Sequence, residues 1–183
     1  PVELAAKYRN EGADELVFLD ITASNEQGER IKELVRKVAS VINIPFTVGG
    51  GVKSIDDARN ILLNGADKVG VNTSAIKTPT LVTELMTLFG RQCVVVAIDA
   101  KRNYTIKENV NVFSENGKEF WFEVFIYGGK EGTGIDVIQW AKEAEKLGAG
   151  EILLTSIDTD GTKNGYDILL TKLIVENASI PVI

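Results

Sequence analysis

Short apolar runs alternate with longer stretches of helical periodicity along this chain. The periodicity predicts helices at 2–11, 29–41, 55–64, 80–89, 135–147 and 167–176. The apolar runs predict strands at 16–19, 46–48, 68–71, 94–99, 152–156 and 181–183. Continuous apolar runs, without alternation, are typical of parallel strands buried on both faces. Repeated strand–helix units of this kind indicate an α/β barrel or a doubly wound sheet.

An internal repeat favours the barrel. Three segments share a GA motif, in which the glycine is predicted to end a helix and a charged residue opens the strand that follows. They are GADELVFLD at 12–20, GADKVGV at 65–71 and GAGEILLTS at 148–156. Duplicated half-barrels explain this better than an open sheet. A complete eight-unit barrel needs about 200–250 residues, so the chain of 183 residues is predicted to form a single, incomplete TIM-barrel domain.

The segment 103–129 interrupts the strand–helix rhythm. Asn116-Gly117 is a strong hairpin signal between two β-rich halves, so we predict a β-ribbon excursion here. Its aromatic residues either pack the ribbon onto the barrel or form a lid for a partner or substrate. They are Phe120, Trp121, Phe122 and Phe125.

Composition removes several kinds of chemistry. The chain has no histidine and one cysteine, Cys93, which excludes Ser-His and Cys-His nucleophiles, His-ligated metals and a disulfide framework. Cys93 opens an apolar run and is predicted to be a buried, inert thiol. Acid–base chemistry is left to Asp, Glu, Lys or Tyr. The net charge of −6 disfavours a broad nucleic-acid surface. One reduced cysteine fits a cytoplasmic location, and no apolar run approaches the length of a membrane span or forms a signal-like N-terminus, so no membrane contact is expected.

Three consecutive glycines, Gly49 to Gly51, stand between a predicted strand and a predicted helix. Bare backbone before a helix N-terminus suits a phosphate, although a plain flexible turn is the alternative. Ser54 is the expected N-cap of that helix, with Asp57 three residues later.

Barrel enzymes place their active sites at the carboxyl ends of the strands. In this chain those ends carry Asp20, Asn72-Thr73, Asp99 and Asp160-Gly161. Asp99 is the best candidate for general acid–base work, unless it caps a turn or pairs with Lys101 or Arg102. Asn72-Thr73 either bind an anion or cap the next turn, Asp160-Gly161 either contact a ligand or form a simple turn, and Asp20 is alternatively structural.

Charged residues open three of the predicted strands at the opposite end: Glu15, Lys68 and Glu151. They form either a solvated salt-bridge cluster of little energetic value or, if they point inward, a charged ring across the barrel axis.

The segments FLDITAS, IPFTVGGGV, GADKVGVNTSA, VVVAIDAKR, TGI and GAGEILLTSIDTDGTKNGYD closely resemble the cyclase subunit of imidazole glycerol phosphate synthase, of histidine biosynthesis. The resemblance implies a (βα)8 barrel that needs no metal or organic cofactor and accepts ammonia from a glutaminase partner. The ammonia converts a phosphoribulosyl-formimino aminoimidazole carboxamide ribonucleotide, which carries two phosphates, to imidazole glycerol phosphate and aminoimidazole carboxamide ribonucleotide.

The resemblance also implies roles for individual residues. Asp99 matches a catalytic aspartate. The implied phosphate contacts are Gly50, Gly51, Asn72, Thr73, Asp160 and Gly161. The implied ammonia gate and passage comprise Glu15, Lys68, Glu151, Thr47 and Thr155.

Some parts of the family pattern find no match between Pro1 and Ile183. They are a first strand with a second catalytic aspartate, a gate arginine, a mobile substrate loop and the last strands. The excursion at 103–129 also looks longer than is usual. We therefore expect cyclase activity from a longer parent but none from these residues alone. The sister phosphoribosyl isomerase of the same pathway and an inactive fragment that binds phosphate or a partner are the alternatives.

Overall fold

The computed structural model describes residues 1–19 and 28–183. The predicted strand-end residue Asp20 lies outside the described residues. The described residues divide into two compact units, Pro1–Val95 and Val96–Ile183.

The first unit is built from repeated strand–helix steps. Its strands are β1 (Leu16–Leu19), β2 (Phe46–Gly49) and β3 (Lys68–Val71). Its helices are α1 (Val2–Asn10), α2 (Gly28–Ala39), α3 (Ile55–Leu63), α4 (Thr73–Lys77) and α5 (Thr80–Phe89), followed by a 3-10 turn at Arg91–Cys93. Strand β2 pairs with β1 and β3, in parallel in both cases. All four β2 residues are buried, as the apolar run predicted.

The second unit joins a β-ribbon to further strand–helix steps. Its strands are β4 (Val94–Asn103, which begins at the unit boundary), β5 (Phe113–Glu115), β6 (Lys118–Ile126), β7 (Glu131–Asp136) and β8 (Glu151–Ser156). Its helices are α6 (Val137–Leu147) and α7 (Ile168–Asn177). Strand β6 pairs antiparallel with β4, β5 and β7, and β8 pairs with β4.

The repeated GA motif ends three helices in the same way. Gly12, Gly65 and Gly148 have φ of 93°, 108° and 114°, a region that side-chain-bearing residues avoid. After each helix, the amide of the alanine that follows the glycine donates to a carbonyl five residues back: Ala13 to Tyr8, Ala66 to Ile61 and Ala149 to Ala144. The sequence repeat is therefore a repeat of helix-terminating geometry.

Several predicted boundaries were wrong where the ribbon intervenes. The strand predicted to end at Asp99 continues to Asn103, because β6 pairs with it along that length. The helix predicted from Ile135 begins at Val137, because Asp136 caps it by accepting from the amides of Ile138 and Gln139. Strand β7 and the short helix α4 were not predicted. The strand predicted at 181–183 is represented by a single parallel bridge between Ile152 and Val182.

The hairpin at Asn116-Gly117 is confirmed. The two residues have φ of 52° and 74°, as the two-residue turn favoured between twisted antiparallel strands requires. Phe120, Trp121 and Phe122 are at most 1% exposed, and the indole of Trp121 donates to the carbonyl of Thr105 at 3.0 Å. Burial of these rings favours their packing role over the lid, while Phe125 is half-buried.

Candidate active-site elements

The glycine run of the first unit lies at the carboxyl end of β2. Gly49 packs against β3: a Cβ added there would meet Leu19 Cδ2 at 2.9 Å and the Cα of Gly70 at 3.4 Å. Gly50 and Gly51 have φ of 86° and 77° and are exposed. The first glycine therefore serves strand packing, and the next two form an open loop whose backbone a ligand can approach.

Helix α3 does not offer a free N-terminus to that loop. Ser54 caps it as predicted, accepting from the amide of Asp57 at 3.2 Å. The carboxylate of Asp57 accepts in return from the Ser54 hydroxyl at 2.9 Å and from the amide of Lys53 at 3.0 Å. Because a carboxylate already occupies this helix end, the expected placement of a phosphate on α3 is disfavoured.

The loop after β2 is tied instead to the loop after β3. Asn72 and Thr73 follow β3 at the same edge of the parallel strands and are half-buried. The hydroxyl of Ser74 donates to the carbonyl of Val52 at 2.7 Å. Ser74 thus links the loop of Gly50 and Gly51 to the start of α4, a contact that the sequence did not reveal.

Two of the predicted gate residues and one predicted passage residue meet at the opposite end of the first unit. Lys68 Nζ lies 3.0 Å from each carboxylate oxygen of Glu15, and the hydroxyl of Thr47 donates to Glu15 Oε1 at 2.8 Å. Register explains the meeting, because Thr47 pairs with Lys68 across β2 and β3 and their side chains share one face.

This cluster is far from solvated. The side chains of Lys68 and Glu15 are 14% and 23% exposed, and Thr47 is fully buried. The interpretation as a solvated surface salt bridge is therefore wrong for the pair of Glu15 and Lys68. Lys68 also lines a depression of about 550 Å³ together with Pro45, Asp67 and Gln92.

The remaining residues predicted for the gate and passage belong to the second unit. Glu151 and Thr155 lie on β8, four residues apart and therefore on one face of that strand. Both are half-buried.

Asp99 lies within β4 instead of at its end. It is half-buried and pairs in register with Phe125 of β6. Arg102, one of the two pairing partners considered for it, is directed to other carboxylates: its Nη1 lies 2.5 Å from Asp167 and 3.5 Å from Asp158. Lys101 is exposed.

Asp160 and Gly161 lie in the segment 157–167 that joins β8 to α7. The amide of Asp160 donates to the carbonyl of Ser156 at 2.9 Å, while its side chain is exposed. Gly161 is exposed with φ of 72°, and a Cβ there would meet nothing within 4 Å. The turn interpretation is therefore correct as local structure, and the exposed backbone remains available to a ligand.

An acidic and aromatic site around Arg102 was missed from the sequence. The guanidinium bonds both oxygens of Asp167, at 2.5 and 3.1 Å, and lies 5.1 and 4.9 Å from the ring centroids of Phe120 and Phe122. Burial raises the pKa of the Asp167 carboxyl, but hydrogen bonds from Arg102, Leu170 and Ser156 outweigh it, so that pKa lies below its ordinary value. The sequence offered one signal for this site: Asp167 stands directly before the apolar periodicity of α7, a position that predicts an N-cap.

Cys93 is half-buried, less than predicted. Burial, and to a smaller extent the charge of Asp67, raise the pKa of its thiol, which disfavours the reactive thiolate.

Among the described residues no group of three potential ligands is placed to hold a metal ion. In the same part of the chain, none of the helices is both long and apolar enough to cross a membrane.

Comparisons with known proteins cover the whole chain. The family model described as "Histidine biosynthesis protein" matches residues 1–183. "Imidazole glycerol phosphate synthase subunit HisF" of Nitrosopumilus maritimus is 74% identical over all of this chain and 69% of its own length. The proteins of the same name from Methanococcus maripaludis and Methanocaldococcus jannaschii are 58% and 57% identical, over all of this chain and 70% and 69% of their lengths.

Proposed function

The chain belongs to the histidine-biosynthesis family and to its HisF cyclases, and from this premise we propose how its residues perform the cyclase step of imidazole glycerol phosphate synthase. The family fold is the (βα)8 barrel, in agreement with the α/β prediction. The whole-chain identity of 74% to a HisF subunit carries the assignment. It does not favour the sister isomerase or an inactive fragment.

We assign proton transfer to Asp99. Ammonia must lose protons as its nitrogen is built into an imidazole ring, and a carboxylate at the site can accept them and return one to a leaving group. Asp99 is half-buried on β4 and held in register by β6, so its position is defined by a paired strand and not by a loop.

The phosphates of the substrate are assigned to loop backbone. In the first unit the contacts are Gly50, Gly51, Asn72 and Thr73, which Ser74 brings to one loop cluster. In the second unit Gly161 is the stronger contact, because the amide of Asp160 is already bonded to Ser156 and its carboxylate would repel a phosphate.

Ammonia is assigned to the end of the first unit that carries Glu15, Lys68 and Thr47. The proposed gate is the largely buried ion pair, whose lysine contacts both carboxylate oxygens at 3.0 Å and would move as ammonia passes. The depression beside Lys68 provides an approach from outside. In the second unit, Glu151 and Thr155 of β8 are proposed as residues that ammonia passes.

The relatives are named as synthase subunits, so the chain acts as one subunit of a complex. We propose that the other subunit is a glutaminase that supplies ammonia. Glutamine-dependent turnover should then appear only when that subunit is added, while turnover with ammonium salt should not need it.

The direct test of catalysis is ammonia-dependent turnover of the formimino ribonucleotide by the natural full-length protein. Asp99→Asn should lower kcat by about 100-fold or more, the usual contribution of a positioned acid–base group. Asp56→Asn is the matched control, because Asp56 lies exposed in the first turn of α3. Wild-type turnover in the Asp99 variant would remove the assigned role.

A further inference from the structure

Arg102 is placed to hold the segment between β8 and α7. It lies at the end of β4, and its side chain is 13% exposed. Its two terminal nitrogens bind both oxygens of Asp167, which begins α7 as its N-cap. A two-point contact of this kind fixes orientation as well as distance.

The same residue also holds the beginning of the segment. The backbone amide of Arg102 donates to Asp158 at 2.8 Å, and its Nη1 lies 3.5 Å from the same carboxylate oxygen. Ser156, the last residue of β8, donates to Asp167 at 3.1 Å. Both ends of the segment therefore converge on one guanidinium.

Aromatic residues of the β-ribbon pack against the Arg102 side chain. Arg102 pairs in register with Phe122 of β6, and the rings of Phe120 and Phe122 lie against its guanidinium. These rings meet edge to face, with centroids 5.4 Å apart, and both are buried. They limit the positions open to the guanidinium and keep water from it.

Between its anchored ends, the segment is open. Residues 160–166 are all exposed, and Gly161 carries a positive φ near the start of this stretch. An open stretch fixed at both ends can present its backbone to a ligand without first being ordered.

We infer that Arg102 is a positioning residue that, through Asp158 and Asp167, sets the substrate-phosphate contact at Gly161. This inference rests on the proposed cyclase function. It also gives the ribbon a role: β6 supplies the platform that holds the arginine in place. Lysine cannot substitute, because a single ammonium cannot bind both oxygens of Asp167 in the same planar geometry.

The test compares Arg102→Lys with the wild type in the natural full-length protein. With ammonium salt saturating, the KM for the formimino ribonucleotide should rise about tenfold or more, since small misplacements of a binding group are costly, while kcat changes little. Arg36→Lys is the matched control, because Arg36 is an exposed arginine of α2 whose guanidinium donates to Asn64. A variant that is merely less stable would lose kcat through a smaller folded fraction but keep its KM. An unchanged KM in Arg102→Lys would overturn the inference.

Hydrogen exchange gives a second readout that needs no turnover. In Arg102→Lys the bonded amides of Thr159, Asp160 and Thr162 should exchange faster, while those of α5 stay unchanged. Unchanged exchange in the segment would refute the anchoring role, even if the wild type is active. An inactive wild type with faster exchange in the variant would instead refute the proposed function and leave the anchoring role supported.

Discussion

The pair of Glu15 and Lys68 provides a sharp test of how this fold treats charge. At 3.0 Å the direct attraction is about 5 kcal/mol at an effective dielectric constant near 20. Loss of water from both groups offsets much of it, and breaking a fully buried pair costs about 3–5 kcal/mol. With 14% and 23% of the side chains still exposed, we expect Lys68→Met to lower the free energy of unfolding by about 1–3 kcal/mol.

The assay is urea unfolding of the wild type, Lys68→Met, Glu15→Gln and the double variant. The double variant should be more stable than the sum of the single effects predicts, with a coupling energy of about 1–2 kcal/mol. The matched control is the surface pair of Glu33 and Lys37, 65% and 60% exposed, whose coupling should be far smaller. Equal coupling in the two pairs would refute the claim that burial makes the difference.

The remaining predictions concern pH, the thiol and the hairpin. Because the pKa of Asp167 is lowered in the folded chain, its carboxylate stabilises the fold above the ordinary carboxyl pKa, and that contribution disappears as pH falls through the lowered value. Between pH 7 and pH 3 the urea midpoint of Asp167→Asn should therefore fall less than that of the wild type. An equal fall in both proteins would contradict this. Cys93 should react slowly with iodoacetamide at pH 7, and the rate should still be rising above pH 9, since its pKa is raised; reaction at the rate of a free thiol would count against it. Gly117→Ala should lower the free energy of unfolding in urea by about 1 kcal/mol, because φ there is 74°, although the added Cβ meets nothing. The control, Ser114→Ala on exposed β5, should leave the free energy of unfolding unchanged. No loss in the glycine variant would show that the turn adapts.

Local chemistry accounts for the parts that were predictable. Apolar runs of four residues can be buried on both faces only in a covered parallel sheet, so β1, β2 and β3 were found almost to the residue. The GA repeat, the Ser54 cap and the turn at Asn116-Gly117 depend on neighbouring residues alone, and all three were found where expected. The expected meeting of Glu15 and Lys68 was found too, since equivalent positions of parallel strands meet at one end.

Features that depend on a distant pairing partner were not predictable in the same way. The extent of β4 beyond Asp99 depends on pairing with β6, which lies about twenty residues further along the chain. The unpredicted strand β7 also depends on pairing with β6. The surroundings of the glycine run were unpredictable for a related reason: the carboxylate of Asp57 already fills the start of α3, while Ser74 joins two loops that the sequence treats separately.

By itself, the sequence determined the strand–helix order, the repeated helix endings, the family and which residues are candidates for chemistry. Only the tertiary structure decided that Glu15 and Lys68 are largely withdrawn from water, and that Arg102 contacts Asp158 and Asp167. The physical reason is the range of the interactions. Caps, turns and periodicity act over a few residues, whereas the burial of a charge and the choice of its partner depend on residues that only the folded chain brings together.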